Sequence, residues 1–352
     1  MTRLHLLFEC GADGRPHGSS YIRLIRPLTH PAAGPGFEVT WSADYRAADV
    51  VLVDRTWRKG ATVGDAERLV AQLRRDGGRL LYSLDDNLLD LETDGLFVPG
   101  IAPEQKMLIR YLAREADGVL VSTAPLAERM RRLNPAVRVV PNALDERLFP
   151  AGPPAVAAEP RGTGGRLRVG YMGTPTHDAD LYAVVEALRN VAPAIELELV
   201  GGFSDPRLPE ALSPVPVRTL DPEGSVEYPA FAGWLREHAR WDFAIAPLAD
   251  GEFARCKSDI KFLDYGILGI PAICSDVEAY RAGVAHGETG WRAENTPEAW
   301  TAALETFVGD AALRRRLGAQ AERHVRASRT LEHAAPRWTE ALAAILGAPA
   351  RR

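Results

Sequence analysis

Short runs rich in β-branched and apolar residues alternate with stretches of three- and four-residue apolar spacing, and this alternation constrains the fold more than any other feature. Ahead of residue 150 the runs are LHLLF (4–8), FEVTW (37–41), DVVLV (49–53), RLLYSL (79–84), GVLV (118–121) and VRVV (137–140). Beyond residue 165 they are LRVGYM (167–172), IELELV (195–200), VPVRTL (215–220), DFAIA (242–246) and PAIC (271–274). Helix candidates lie between them at 64–75, 103–115 (with Pro103 in the first turn), 181–190 and 259–268. Strands alternating with helices predict parallel sheets covered on both faces, an α/β architecture. The two sets are separated by PAGPPAVAAEPRGTGG (150–165), whose four Pro, four Gly and four Ala leave little to bury and read as a linker.

The expected organisation is therefore two Rossmann-like domains facing a central cleft, residues 1–149 and 166–330, joined by the linker 150–165. The length of 352 residues suits two domains. The stretch 297–346 is helical throughout, and the segment 331–352 is expected as a C-terminal helix packing back on the first domain. With 46% apolar and 25% charged residues the chain can bury a large core. A formal net charge of −5 disfavours a nucleic-acid partner. Three widely spaced cysteines, Cys10, Cys256 and Cys274, argue against a disulfide framework and for a reducing compartment. The opening MTRLHLLFECGADG reads as a first strand rather than a signal peptide, and no stretch approaches 18 uninterrupted apolar residues. The expected location is cytoplasmic.

Ligands of open α/β sheets bind beyond the carboxyl ends of the strands, so the residues just after each strand carry the functional information. After the first strand, Gly18, Ser19 and Ser20 would open a helix, either as a plain cap or as free backbone N–H groups for an anion or a sugar. After the fourth, Asp85 and Asp86 are adjacent carboxylates that repel one another. One would contact sugar hydroxyls or a developing positive charge; an acid pair that holds Mg²⁺ ranks lower for want of further acids, and Asp86 could simply cap a helix. Pro141 and Asn142 read as turn chemistry at the domain exit.

The second domain opens with a strand, Gly173 and Thr174, then a helix, an anion-cradle arrangement that lacks the dinucleotide fingerprint. His177 and Asp178 would cap that helix and line the pocket. The most informative stretch is APLADGEFARCKSDIKFLDYGILGIPAICSDV (246–277). A strand ends, a loop with Arg255 and Lys257 follows, and a helix begins near Ser258 or Asp259. Amides and dipole at that helix start, with Arg255, Lys257 and Lys261 around it, suit a diphosphate. Lys261 and Asp264 lie three apart and share a face, which places Asp264 for a ribose diol.

The pattern DYGILGIPAICS (264–275) resembles the nucleotide-sugar site of retaining glycosyltransferases of family 4, which have the GT-B fold. YSLDDNLLDL, ADGVLVSTAPLAERM, VPNALDERLF and VGYMGTPTHDADL extend the resemblance over most of the chain, towards a bacterial subgroup that builds surface polysaccharides or decorates secondary metabolites. The resemblance implies transfer of a sugar from a nucleoside-diphosphate sugar to an acceptor hydroxyl with retention, without a metal or resident cofactor. The acceptor would be a carbohydrate, a lipid-linked sugar or a secondary metabolite, and a lipid-linked acceptor would bring the chain to the inner membrane face. Asp264 stands where the family's second glutamate contacts the ribose, and Cys256 where its first contacts the donor sugar. Thr174 and Ala179 replace the family's phosphate-binding Arg and Lys, a role the resemblance then passes to Lys257 and Lys261 with Arg255, beside the amides of Ser258 and Asp259. Asp85 replaces a histidine near the anomeric carbon. In the family the leaving phosphate helps to deprotonate the acceptor, and catalysis comes from positioning and from stabilising the diphosphate. Two alternatives remain at this level: a nucleotide-sugar epimerase or hydrolase of the same fold, and a degenerate nucleotide-binding module.

Overall fold

The computed structural model describes residues 1–10, 14–91, 101–150, 163–173, 177–201, 205–222 and 227–350. Most of the expected linker, 151–162, lies outside the described residues, as does Thr174. Two parallel sheets of six strands each carry the architecture. The first contains β1 (Thr2–Leu7), β2 (Phe37–Ser42), β3 (Val50–Asp54), β4 (Arg79–Leu84), β5 (Gly118–Val121) and β6 (Val137–Val139), in the order β2-β1-β3-β4-β5-β6. The second contains β7 (Leu167–Met172), β8 (Ile195–Val200), β9 (Val217–Leu220), β10 (Phe243–Ala246), β11 (Ala272–Ser275) and β12 (Trp291–Ala293), in the order β12-β11-β10-β7-β8-β9.

The strand sequences explain the layers. Every residue of β3, VVLVD, is buried, which a parallel strand covered by helices on both faces requires. Its register sets Leu6 beside Leu52 and Leu52 beside Leu81, so one apolar row crosses the sheet. Gly170 in β7 leaves room for the ring of Trp241, which a Cβ would meet at 1.8 Å. β12 was not among the expected strands: it has three residues, only Ala293 of them buried, and leaves no periodic signal. The expected helix 181–190 forms as two pieces, Asp178–Tyr182 and Val185–Asn190, with Val184 turned into the core between them.

The C-terminal part is helical over Pro297–Gly309, Ala311–Ser328 and Leu331–Leu346. The last of these lies on the first sheet, where Trp338, Leu342 and Ile345 share a core cluster with Leu4, Leu6, Leu81 and Leu120. Ile345 sits so close to Gly118 that a Cβ there would be 2.6 Å away. The chain enters this helix through a bridge in which Leu144 N–H donates to Arg329 O (2.9 Å) and Leu331 N–H donates to Leu144 O (2.8 Å). No helix among the described residues is long and apolar enough to cross a membrane.

Chain order reverses direction between β1 and β3 in one sheet and between β7 and β10 in the other. The carboxyl ends of strands at such switch points leave a crevice, and here the two crevices face one another.

Candidate functional site

Between the two sheets lies a cavity of about 540 Å³, with His17, Gly18, Ser19, Arg55, Asp85 and Asp86 on one wall and His177, Lys257, Ser258 and Lys261 on the other. The first wall is built at the ends of β1, β3 and β4. Glu9, two residues beyond β1, accepts from Thr56 Oγ1 (2.7 Å) and His17 Nδ1 (3.3 Å), and Arg55 Nε lies 3.1 Å from it. Burial would raise its carboxyl, but Arg55, His17 and Thr56 outweigh that and hold it at about 2. Asp54, at the end of β3, is fully buried and accepts from Ser20 Oγ at 2.6 Å. Burial, reinforced by the charges of Asp85 and Glu9, pushes Asp54 up to about 7.

Asp85 follows β4, and its Oδ1 is 3.7 Å from Arg55 Nε. Burial raises its carboxyl, with Asp86 adding to the rise and Arg55 opposing it. Asp86 moves the other way despite burial, because Lys257 reaches across the cleft to 3.5 Å from it. Two adjacent acids are thus separated by their partners, one turned to the cation of its own wall and one to the cation opposite. Asp86 does not cap a helix, since residues 85–91 contain none.

The second wall is the start of the helix Ile260–Ile267. Lys261 Nζ is buried, has no hydrogen-bond partner among the described residues and lies 4.9 Å over the ring of Tyr171. Burial pushes its ammonium down to about 8. Lys257 Nζ stands 4.5 Å over the Phe253 ring. His177 Nδ1 donates to Asp180 Oδ2 at 2.5 Å, and Asp180 also accepts from Ala249 N–H at 2.7 Å. Burial and the charges of Lys261 and Lys257 push His177 down to about 4, so the ring is neutral near pH 7.

The structure brings together Gly18, Ser19, Asp85, Asp86, His177, Lys257, Ser258 and Lys261 of the residues expected from sequence. Ser20 lies behind the wall on Asp54. The Asp259 side chain faces Arg329 in a two-pronged pair of 2.7 and 2.8 Å, which leaves its backbone at the helix start. Arg255 is not with the other cations: it lies in a neighbouring depression of about 1230 Å³ and pairs with Glu278 (2.8 Å) and Glu128 (3.3 Å). Asp264 is buried beneath Tyr228, which donates to it at 3.0 Å, and burial raises it to about 7. Gly173 ends β7 and packs on Gly201, where φ is +92° and a Cβ would meet Gly173 O at 2.1 Å. Cys256 is buried in the first domain's core cluster, its thiol pushed up to about 11 by burial, so no carboxylate stands there.

Sequence reading missed Glu9, Arg23, Asp54, Arg55 and the junction role of Asn142. Asn142 Oδ1 accepts from Arg23 (2.9 Å), its Nδ2 donates to Ser258 Oγ (2.8 Å), and its carbonyl accepts from Arg329 (3.2 Å). One amide therefore ties both chain crossings to the start of the Lys261 helix. The available signal was positional: Glu9 and Arg55 each stand within two residues of a strand end.

Among the described residues one cluster has metal-ligand composition, His30, Asp145 and Glu146. His30 Nδ1 accepts from Ala32 N–H (3.1 Å), so Nε2 carries the proton it shares with Glu146 at 2.8 Å. Asp145 is held by Arg26 and Arg147. Its charges are already balanced, and no ring nitrogen is left for a metal.

No family model matches the chain, and neither does any curated protein. Solved structures do. A sucrose-phosphate synthase from Thermosynechococcus elongatus is 16% identical, with a TM-score of 0.69 over 99% of this chain and 100% of that one. HepE from Anabaena, in complex with UDP and glucose, is 12% identical, with a TM-score of 0.69 over 98% and 100%. A glycosyltransferase from Rickettsia africae is 11% identical, with a TM-score of 0.62 over 99% of each chain. The fold, two parallel six-stranded sheets in an α/β chain, is of the GT-B type.

Proposed function

We propose that the chain is a glycosyltransferase that moves a sugar from a nucleoside-diphosphate sugar to an acceptor hydroxyl, with retention, as the resemblance to family 4 implies. In this reading residues 1–149 receive the acceptor and 166–330 the donor. The observation that carries it is Lys261 Nζ, a buried cation with no hydrogen-bond partner among the described residues, beside Lys257 and the start of a helix. An unpaired buried charge is costly, and a diphosphate would satisfy it together with the amides of Ser258 and Asp259. The likeness to HepE, a protein solved with UDP-glucose, supports the same assignment.

The donor diphosphate would lie against Lys257, Lys261 and Ser258, with Gly173 leading towards its cradle. Its sugar would face Asp85, which stabilises positive charge at the anomeric carbon. Cations and amides supply the electrostatic role a metal would otherwise fill. A ribose hydroxyl would take the place of Tyr228 Oη on Asp264. Arg255, committed to Glu278 and Glu128, has no part in this assignment.

A thermal-shift panel of UDP, GDP, dTDP, ADP and CDP, with and without Mg²⁺, tests the reading. One diphosphate should raise the midpoint by mass action, equally in both conditions. Lys261→Ala should weaken that nucleotide by one to two factors of about ten, the worth of a charge-assisted contact. No shift with any of them overturns the donor site.

A further inference from the structure

The helix start that offers Lys257 and Lys261 to the cavity shares its wall with a histidine from another element. His177 stands just ahead of the short helix Asp178–Tyr182 and lines the cavity together with both lysines and Ser258. Its side chain is 13% exposed, and its backbone carbonyl accepts from Tyr171 Oη at 3.2 Å.

The ring is held from one side. Nδ1 lies 2.5 Å from Asp180 Oδ2, and the other oxygen of Asp180 accepts from Ala249 N–H at 2.7 Å. An ionised carboxylate only accepts hydrogen bonds, so Nδ1 carries the proton and Nε2 the lone pair. Among the described residues Nε2 has no hydrogen-bond partner. Burial, and then the charges of Lys261 and Lys257, keep the ring from taking a second proton, while Asp180 opposes them. Asp86, on the opposite wall, also feels the charge of the ring. Asp178 adjoins it in sequence, and Tyr171 and Tyr280 complete its titratable surroundings.

A diphosphate set against Lys257 and Lys261 changes this balance. It would meet a lone pair at Nε2, which repels it. One proton on Nε2 turns that repulsion into a charge-assisted hydrogen bond, and the diphosphate cancels the two ammonium charges that had kept the proton away.

We propose that His177 is a third cationic ligand of the diphosphate, one that acquires its charge by taking a proton from solvent as the donor binds. The inference rests on the donor site assigned above and deepens it. Nε2–H donates to a phosphate oxygen, and Asp180 is the positioning residue that keeps this nitrogen free for it. The ring stands on the diphosphate's own wall and leaves the acceptor's proton to the departing phosphate, in keeping with retention. As the bond from the anomeric carbon to the diphosphate oxygen breaks, its electron pair leaves with the diphosphate, and the imidazolium meets the added negative charge.

Calorimetry with UDP-, GDP-, dTDP- and ADP-glucose tests this. Their diphosphates are esterified at both ends and do not titrate between pH 5 and pH 7, so a proton taken up on binding goes to the protein. The free ring titrates at about 4. A complex in which it regains an ordinary histidine pKa binds more protons, so affinity rises as pH falls. From pH 7 to pH 5 the parent should gain about tenfold more affinity than His177→Asn, which keeps an N–H for Asp180 and removes the titrating nitrogen. Asp85, Asp86, Lys257, Lys261 and Asp264 titrate in both proteins and cancel in the comparison. Titrations in two buffers of different ionisation enthalpy should show the parent taking up about half a proton more than the variant at pH 6.

Asp180→Asn reads the positioning role. Ala249 N–H holds the amide oxygen on its own side, so an amide N–H faces Nδ1 and turns the ring to the Nε2–H tautomer. The hydrogen bond to phosphate then needs no added proton: affinity at pH 7 should be no weaker than the parent's, and the pH dependence should fall to that of His177→Asn. Imidazole ¹⁵N spectra should read Nδ1–H in the parent and Nε2–H in Asp180→Asn. Binding with the same pH dependence in the parent and in His177→Asn overturns the inference and leaves the donor site standing. Failure of all four sugar nucleotides to bind at either pH overturns the donor site, and the inference with it.

Discussion

Lys261 and Asp264 sit one turn apart on the same helix and meet opposite fates, one at the cavity with no hydrogen-bond partner among the described residues and one sealed under Tyr228. Their spacing was legible, but which of them turns to the cavity is settled by the aromatic rings at positions 171 and 228. The unfolded carboxyl of Asp264 ionises near 4, and the folded one at about 7. Between those values the native chain binds more protons, so stability is full below about pH 4 and declines as pH rises through 7. Asp264→Asn removes this titration and keeps an acceptor for Tyr228. Urea unfolding should show the variant more stable than the parent by about 2–4 kcal/mol at pH 8, with the difference gone at pH 4; equal stability at both pH values would refute the buried, protonated state. Asp85→Asn tests the other wall: if the side chain acts, as proposed, on charge that develops only in the transition state, turnover should fall by at least about tenfold while nucleotide affinity changes less than twofold. Asp85 could be found because a strand end points to it, and Lys257 and Lys261 because they flank a helix start. Arg23 could not, since a charge is buried only where distant partners meet it: Arg23 donates to Val140 O at 2.5 Å, across 117 positions of sequence.

At the scale of elements, the helix spanning 18–28 shows how local distortion serves the site. Its middle, Tyr21–Ile25, is a π-helical turn between two α-helical ones, a feature often found where a helix serves a function. It carries Arg23 inward, 1% exposed, with its guanidinium 4.6 Å above the Trp338 ring of the last helix. Removing that ring should cost about 3–5 kcal/mol in a Trp338→Ala variant, from lost core volume and a stranded cation. Guanidinium titration followed by near-ultraviolet circular dichroism would show it, and a cost under 1 kcal/mol would mean that the helix is loosely docked. Strands were the most legible elements, because continuous apolar runs such as DVVLV have one sensible use. β12 was invisible for the converse reason, being a strand by virtue of pairing with β11 through Ile273 and Trp291 rather than by its own composition. The π-turn left no mark in the sequence either, as GSSYIRLIRPL has ordinary helical spacing.

The molecule as a whole is two sheets across a cleft, joined by apolar packing of Cys256 and Phe253 on the first core and of Tyr21 and Ile22 on the second, and by polar contacts: Asp86 with Lys257, Asn142 with Ser258, Glu128 with Arg255, Thr123 with the Cys256 carbonyl (2.8 Å), and Tyr21 with Glu227 (3.0 Å). The polar ones are individually weak and can be exchanged for a ligand's, which suits the donor cleft proposed above. The apolar stripe of the last helix is a different kind of connection. Trp338, Leu342 and Ile345 close one face of the sheet that Leu4 and Leu6 begin. On the ribosome, therefore, the core around Leu4 and Leu6 is complete only once Trp338, Leu342 and Ile345, far along the chain, have been made. Until then Leu4, Leu6, Leu81 and Leu120 lack the apolar cover that the last helix supplies. Expressed alone, residues 1–149 would be a template for aggregation rather than a small folded unit.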